Sequence, residues 1–344
     1  MTTLQKLAFG ISIEPNWSVN FSREVAVLSE KLGFDNVWVP DGGPMPPYSD
    51  PIVTLSAIAS DTSRIKLGSS ILNFYTRNPA LLASAFMALS DLGTGGKKAC
   101  PQRAILGIGI GSDYNVAKFG ITERKGVVDE LREAIESIRE LFEGKEVTVR
   151  TDAFVIDDVS LSKSAKKIPI YVGAGSPKSL RLAGEIADGV ILTDRIPSDI
   201  EQSVDPVILG IGYSSRKRSA VEIVDSVVIS LDEDRQKAKR KATSTCAYLV
   251  AWMNDQKAEK HEIDLKTKKR ISEFINRGDE ASASRLVDRK MVDLLTASGN
   301  VEDCIEKCRE YIKNDIDQLA FCEPFGPKVA ESIENIAKKV IPKL

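Results

Sequence analysis

Histidine is nearly absent from this chain, and its scarcity excludes more chemistry than any other feature of the composition. His261 is the only histidine among 344 residues, and the lysine- and glutamate-rich stretch around it predicts an exposed helix. Zinc hydrolases need several histidine and carboxylate ligands, and Ser-His-Asp hydrolases need a histidine base. The sequence therefore argues against both classes, and we expect no metal site.

Cysteine, net charge and long apolar runs are also scarce. The five cysteines are odd in number and form no Cys-x-x-Cys pair, which predicts reduced thiols in a cytoplasmic protein. The formal net charge of −2 gives no reason to expect a nucleic-acid partner. No apolar run reaches the ~20 residues that span a bilayer, so we expect no membrane partner either.

Strand and helix signals alternate along the chain. Helical spacing of apolar residues is clearest at 123–142, where Thr122 is a candidate N-cap. Eight strands followed mostly by helices favour an α/β fold of the (β/α)8 TIM-barrel type over an open sheet. The predicted strands are 7–13, 36–40, 65–72, 103–110, 168–172, 189–193, 221–231 and 318–322.

The spacing of these elements predicts one domain over residues 1–344. The connection between strands seven and eight is too long for a plain crossover, so 232–316 is interpreted as a helical insertion. A second, shorter insertion at 147–161 alternates in the manner of a hairpin.

Active sites of such barrels lie at the carboxyl ends of the strands, and this rule selects the candidate site residues. Strand six brings Thr193 and Asp194 to that edge. We predict that Glu14, Asp41 and Asp113 are catalytic. The predicted cofactor-binding residues are Ser12, Asp41, Ser70, Ile71, Asn73, Gly109, Gly173, Ala174, Gly175 and Ser176.

Several of these residues have a structural explanation as well as a functional one. Glu14, Asp41 and Asp113 are candidates for a general acid or base, but aspartates at strand ends also cap turns. Gly173 to Pro177 is a run of small residues that leads into a helix. Such a run either brings free backbone N–H groups to a phosphate or forms a tight turn in which Ser176 is an ordinary N-cap. Gly109 is interpreted as making room for a flat ring.

Several short stretches, in this order and spacing, resemble one family. They are Phe9-Gly10-Ile11, Gly33-Phe34 with Trp38 and Asp41, Ile65-Lys66-Leu67-Gly68 with Tyr75, Arg77 and Pro79, Arg103 with Leu106-Gly107-Ile108-Gly109, Ile168-Pro169-Ile170-Tyr171 with Gly173-Ala174, and Ala183-Gly184-Glu185-Ile186 with Asp188-Gly189. The chain resembles the bacterial-luciferase-like flavin and deazaflavin barrels, and within them the archaeal methylenetetrahydromethanopterin reductases that use coenzyme F420.

The resemblance implies a (β/α)8 barrel with an insertion after strand seven and a coenzyme in its mouth. It implies a coenzyme phosphate near Gly173 to Ser176, and a cis Ser70–Ile71 peptide in a bulge that forms a backstop for the deazaflavin ring. It also implies a homodimer. The expected activity is hydride transfer between F420 and a small organic substrate, for which a methylenetetrahydromethanopterin-like one-carbon carrier is a candidate.

The chain departs from the reductase pattern at three reactive positions. Ser12 stands where the reductases carry a glutamate, Gly42 where they carry a histidine, and Ser112 where they carry an aspartate. Glu14 and Asp113 lie beside two of these positions and are candidate substitutes.

Two alternatives therefore stay open beside the F420 enzyme. One is an FMN-dependent monooxygenase or reductase, and the other is a non-catalytic relic that binds a coenzyme. A basic rim would favour the acidic tail of F420, and Arg77, Lys178 and Arg195 are candidates for it.

Overall fold

Strands and helices alternate in a computed structural model that describes residues 7–42, 49–93, 102–161, 167–192, 196–313 and 315–344. The predicted positions Thr193, Asp194 and Arg195 lie outside these ranges. The strands are β1 Ala8–Ser12, β2 Asn36–Val39, β3 Lys66–Ser69, β4 Leu72–Asn73, β5 Ala104–Gly109, β6 Val147–Arg150, β7 Val155–Val159, β8 Ile170–Gly173, β9 Gly189–Leu192, β10 Glu222–Leu231, β11 Ala297–Gly299 and β12 Gln318–Phe325.

Helices connect most of these strands. They are α1 Val19–Leu32, α2 Pro51–Asp61, α3 Pro79–Gly93, α4 Asp113–Ala117, α5 Val127–Phe142, α6 Pro177–Ile186, α7 Ile200–Tyr213, α8 Arg235–Trp252, α9 Asp255–Lys260, α10 Leu265–Asn276, α11 Glu280–Leu286, α12 Arg289–Leu295, α13 Val301–Ile312 and α14 Val329–Asn335. No helix in the described ranges is long and apolar enough to cross a membrane.

Eight of the described strands close into a parallel barrel, which confirms the predicted fold. The order around the barrel is β12, β1, β2, β3, β5, β8, β9 and β10, and β10 returns to β12. The predicted hairpin is also present, because β6 and β7 pair in antiparallel fashion.

Between β3 and the start of α5, the structure corrects the sequence prediction at three places. The third strand is interrupted and becomes β3 and β4, with the Ser70–Ile71 bond between them. The helix expected from 123 begins only at Val127, because Gly126 takes a left-handed conformation with φ 56°. The short helix α4 was not predicted.

Polar side chains fill the amino-terminal end of the barrel interior. Gln318 accepts a hydrogen bond from Trp38 Nε1 at 2.7 Å and donates to Asn36 at 3.0 Å and to Glu222 at 2.9 Å. Tyr171 donates to Glu222 at 2.5 Å. Asn36, Glu222 and Gln318 begin their strands, so this network forms the floor of the barrel and leaves the opposite end for the site.

Two compact units account for the fold. The first comprises Met1–Thr193, Glu201–Asp225 and Asp315–Ala320, and the second comprises Asp194–Ile200, Ser226–Asn314 and Phe321–Leu344. The predicted insertion at 232–316 is largely helical and contains one short strand, β11, which was not expected. That all of the chain is one domain, with 232–316 as an insertion in it, stays a prediction.

The single histidine is not on an exposed helix, as the sequence suggested. His261 follows α9, and its side chain is largely buried with Nε2 2.9 Å from Asp199 Oδ2. Lys260 donates to the other oxygen of Asp199 at 2.6 Å, and Lys257 Nζ lies 3.7 Å away. Burial would raise the pKa of Asp199, but the hydrogen bonds from Lys260 and His261 and the nearby charges hold it below its ordinary value of 3.8.

The Asp199 cluster predicts an acid-dependent loss of stability. Because the folded pKa lies below the unfolded value, the carboxylate stabilises the fold above pH 3.8, and this contribution is lost as the pH falls through the folded pKa. We expect Asp199→Asn to lower the free energy of unfolding at pH 7 and to differ less from the parent protein below pH 3.8. Urea denaturation across this pH range checks the result. Asp255→Asn, at an exposed pair with Lys268, is the control, and a difference that is independent of pH would contradict the assignment.

Candidate active site

The carboxyl ends of neighbouring strands meet at one level of the barrel. Ser12, Ser70, Asn73, Gly109 and Gly173 lie at this mouth or next to it, and Asp41 follows β2 by two residues. At this end of the barrel, the residues that pair across adjacent strands are Ser12 with Trp38, Val39 with Ser69, Asn73 with Gly109, and Gly109 with Gly173. The structure therefore brings together the predicted residues from β1 to β8, and their individual roles stay predictions.

Ile71 occupies the space between two of these strands. The Ser70–Ile71 bond is cis, as the resemblance implied. A Cβ atom on Gly109 would lie 2.1 Å from Ile71 Cδ1, and one on Gly173 would lie 2.8 Å from Ile71 Cγ2. At both positions the Ile71 side chain fills the space that a Cβ would take, so an added methyl group requires Ile71 to move. The room for a flat ring at Gly109 stays a prediction. The Ile71 side chain is half-buried, so part of its apolar surface stays accessible.

This packing predicts a rescue experiment. Gly173→Ala should lower the free energy of unfolding by about 1–3 kcal/mol, because the added methyl group overpacks against Ile71. Ile71→Ala in the same chain should restore part of that loss, with a coupling energy of about 0.5–3 kcal/mol between the two sites. Gly212→Ala on α7 is the control, since nothing lies within 4 Å of its Cβ position. Additive losses in the double variant would contradict the contact.

The three candidate catalytic carboxylates have different surroundings. A Cβ on Gly10 would meet Gln318 and Trp38 in the barrel interior, so Ser12, which alternates with it in β1, lies on the same face, and Glu14 follows β1 by two residues. Glu14 is buried, with 9% of its surface exposed. Asp113 has a side chain that is 94% exposed and is ion-paired with Arg124. Glu14 is therefore the more buried of these two carboxyl groups.

Asp41 is held at the rim by Arg77. Arg77 Nε lies 3.7 Å from Asp41 Oδ2, and Arg77 Nη2 donates to Asp50 at 2.7 Å. Asp50 caps α2 by accepting from the N–H groups of Ile52 and Val53. Burial would raise the pKa of Asp50, but the N–H groups of α2 and the Arg77 guanidinium hold it below the ordinary value. Arg77 thus serves two carboxylates and is not a free cation at the rim.

The start of α6 combines the two interpretations that the sequence left open. Ser176 is an N-cap, and its hydroxyl accepts from the N–H of Ser179 at 3.2 Å in a capping box. The N–H of Ala174 donates to Ile191 at 3.3 Å. Within the described ranges the N–H groups of Gly175 and Lys178 have no hydrogen-bond acceptor, and both residues are exposed. These two groups at a helix N-terminus fit a phosphate, and Lys178 supplies a positive charge beside them.

Arg124 and Tyr75 are part of the mouth that sequence reasoning did not select. Arg124 Nη1 donates to the carbonyl oxygen of Ile110, just beyond β5, and its guanidinium lies over the Tyr75 ring at 5.1 Å. Tyr75 was noted only as a residue of the family pattern, and Arg124 falls in a stretch that was expected to begin a helix. The contacts of Arg124 with Ile110 and Tyr75 depend on the path of residues 110–126 after β5. No spacing in the sequence indicates that path.

The closed barrel, with Ile71 and the start of α6 at the carboxyl ends of its strands, places the chain in the class of (β/α)8 barrel proteins. The family model of the luciferase-like monooxygenases matches residues 10–318. The chain belongs to this family.

Particular relatives refine the comparison. The chain is 33% identical to the 5,10-methylenetetrahydromethanopterin reductase of Archaeoglobus fulgidus, over 98% of this chain and all of that one. It is similar to the structure of the coenzyme F420-dependent tetrahydromethanopterin reductase of Methanopyrus kandleri, with a TM-score of 0.88, 28% identity and coverage of 98% and 99%. The fold alone is shared with a Baeyer–Villiger monooxygenase component of Pseudomonas putida in complex with FMN, with a TM-score of 0.71, 18% identity and coverage of 98% and 99%.

Proposed function

We propose that this protein is an F420-dependent oxidoreductase that transfers a hydride between deazaflavin and a small organic substrate. The observation that carries the proposal is its end-to-end likeness to a reductase that is described as coenzyme F420-dependent. The residues of the mouth fit such a coenzyme, because α6 offers N–H groups to a phosphate and Ile71 offers an apolar surface to a ring. When bound, the coenzyme supplies a carbon that carries the hydride.

The chain's own residues supply position and a proton. The N–H groups of Gly175 and Lys178 bind the phosphate, and Ile71 supports the ring. When the hydride is added to the substrate carbon, the heteroatom bonded to that carbon gains a proton. Glu14 holds this proton. Arg77 keeps Asp41 in place at the rim.

The substrate proposed is a one-carbon carrier of the methylenetetrahydromethanopterin type. Support comes from the relative from Archaeoglobus fulgidus, which is a 5,10-methylenetetrahydromethanopterin reductase. Anaerobic turnover with reduced F420 and methylenetetrahydromethanopterin tests this substrate. The readout is the loss of reduced coenzyme. The same assay with reduced FMN is the control. Turnover with reduced FMN alone would contradict the proposal.

An FMN enzyme is the second candidate, and one observation favours it. Of the three candidate rim cations, Arg195 lies outside the described residues and Arg77 is shared between Asp41 and Asp50. In the described part of the chain, Lys178 is therefore the one candidate without an acidic partner. FMN has no acidic tail and needs no such rim. A relic that binds coenzyme without turnover is the third candidate, because Gly42 and Ser112 replace reactive residues.

A homodimer is proposed through the outer faces of α2 and α3. Both helices carry apolar side chains that are exposed in the single chain, namely Val53, Leu81 and Leu92. Such a patch is typical of a protein interface. We expect Leu81→Glu to shift the protein from dimer to monomer in sedimentation velocity, and a parent protein that already sediments as a monomer would contradict the dimer.

A reducing compartment such as the cytoplasm is proposed for the protein. Its support is that Cys246, Cys304, Cys308 and Cys322 are free thiols and the first three are buried. Cys100 lies outside the described residues. Fractionation of the source cells tests the location.

A further inference from the structure

Arg124 is a buried arginine that is fixed beside the barrel mouth. Its side chain is 8% exposed. Its Nη1 donates to the carbonyl oxygen of Ile110 and lies 3.4 Å from that of Gly111. These carbonyls follow β5 directly after Gly109, whose Cβ position meets Ile71. The guanidinium is therefore pre-organised next to the place where a ligand of the mouth would lie.

The negative charge paired with Arg124 is easily displaced. Arg124 Nη2 donates to Asp113 Oδ1, but the Asp113 side chain is 94% exposed on the five-residue helix α4. An ion pair with one partner in water contributes little to stability. An incoming anion would take the place of the exposed Asp113 carboxylate. The buried Arg124 guanidinium would stay paired with a negative charge.

Tyr75 adds a second donor that has no acceptor. The Arg124 guanidinium carbon lies 5.1 Å from the centroid of its ring. Its hydroxyl is buried and makes no hydrogen bond in the described part of the chain. Burial, with the charges of Glu130 and Asp113, raises the pKa of Tyr75 against the opposing charge of Arg124, so the hydroxyl keeps its proton. Buried polar groups in proteins nearly always have a partner, which makes this donor an exception.

We propose that Arg124 and Tyr75 form a donor pair that binds an anionic oxygen, from a carboxylate or a phosphate, on a ligand in the barrel mouth. Asp113 is the counter-ion that this ligand replaces. The proposal rests on the proposed function for the presence of a ligand in the mouth. The anionic oxygen has two candidate sources, which are the acidic part of F420 and an acidic group on a second ligand.

A second arginine–tyrosine pair in the chain provides matched controls. Arg181 lies 4.0 Å above the Tyr213 ring, and its Nε donates to Glu185 at 3.0 Å. This pair joins α6 to the end of α7, and Tyr213 is exposed. This second set has the same three groups, a guanidinium, a tyrosine ring and a carboxylate, but it lies on helices and not beside a strand end.

The first arm of the test is an anaerobic fluorescence titration of the full chain with F420. Its tail-free deazaflavin riboside is titrated in parallel. We expect Arg124→Gln to weaken F420 binding about tenfold, the size of a lost charge-assisted contact. Asp113→Asn should tighten binding, because the competing carboxylate is gone. Tyr75→Phe should weaken binding without lowering the melting temperature, since it removes an unpaired hydroxyl. Arg181→Gln and Tyr213→Phe should leave F420 binding unchanged.

The second arm identifies the source of the anion. If Arg124→Gln weakens F420 but not the riboside, the coenzyme provides the anion. If neither changes, the F420-loaded protein is heated with inorganic phosphate. Loss of the phosphate-induced rise in melting temperature in Arg124→Gln then assigns the site to a second ligand.

Two results separate the possible failures. If the parent chain binds F420 and Arg124→Gln changes neither binding nor the phosphate response, the donor pair is overturned. If the parent chain does not bind F420 at all, the proposed function itself fails.

Discussion

Replacing Glu14 by glutamine is expected to lower kcat by about 10²- to 10⁴-fold, the contribution of a positioned proton donor. Glu14 is buried and lies two residues beyond β1, at the end of the barrel where the site is expected. Asp41 and Asp113 are each ion-paired with an arginine. Glutamine keeps the size and hydrogen-bonding capacity of the side chain but cannot deliver the proton.

The measurement is steady-state turnover together with F420 affinity. We expect kcat to fall while the dissociation constant of F420 stays the same, because Glu14 acts on the substrate. Glu24→Gln, at an exposed site on α1, is the control. Full turnover in Glu14→Gln, with the loss in Asp113→Asn instead, would transfer the role to Asp113.

Arg103→Met is expected to lower the free energy of unfolding by about 3–5 kcal/mol, the range for an uncompensated buried polar cluster. Arg103 is 2% exposed and makes five hydrogen bonds of 3.0–3.1 Å. They go to the carbonyl oxygens of Ala59, Thr62, Ile65 and Gly93 and to the Thr62 hydroxyl. One guanidinium thus joins the ends of α2 and α3 to the turn before β3, and methionine would leave these oxygens without their donor.

Urea denaturation compares this variant with Arg23→Met. Arg23 forms a pair with Asp61 at 2.5 Å on the surface, where such pairs contribute up to about 1 kcal/mol. Equal losses in the two variants would show that Arg103 is not the connection between these elements. The residue belongs to the family pattern noted in the sequence, and its hydrogen bonds give that pattern a structural reason.

Local periodicity predicted most of the barrel because each strand is a short apolar run. The strand expected at 221–231 is β10, Glu222–Leu231, nearly residue for residue. The break between β3 and β4 was expected only from the resemblance, since no apolar pattern marks it. The same limit applies to α4, which is a single short turn of helix.

The candidate site was predictable by position but not by contact. The structure places Ser12 and Gly173 at the ends of their strands and Glu14 two residues beyond β1, and their roles stay predictions. The contacts of Ile71 with Gly109, of Arg77 with Asp41 and of Arg124 with Tyr75 join different segments, and no spacing along one segment encodes them. The surroundings of a side chain, which decide its chemistry, therefore needed the structure.

Coenzyme preference is the measurement that tests the proposed function most directly. The purified chain is titrated anaerobically with F420 and, separately, with FMN, and binding is followed by fluorescence. We expect saturable binding of F420 and weak or no binding of FMN, because the chain is similar over nearly its whole length to a coenzyme F420-dependent reductase. Saturable binding of FMN alone would contradict it and place the protein among the flavin enzymes of the family, and binding of neither would leave a barrel without its coenzyme.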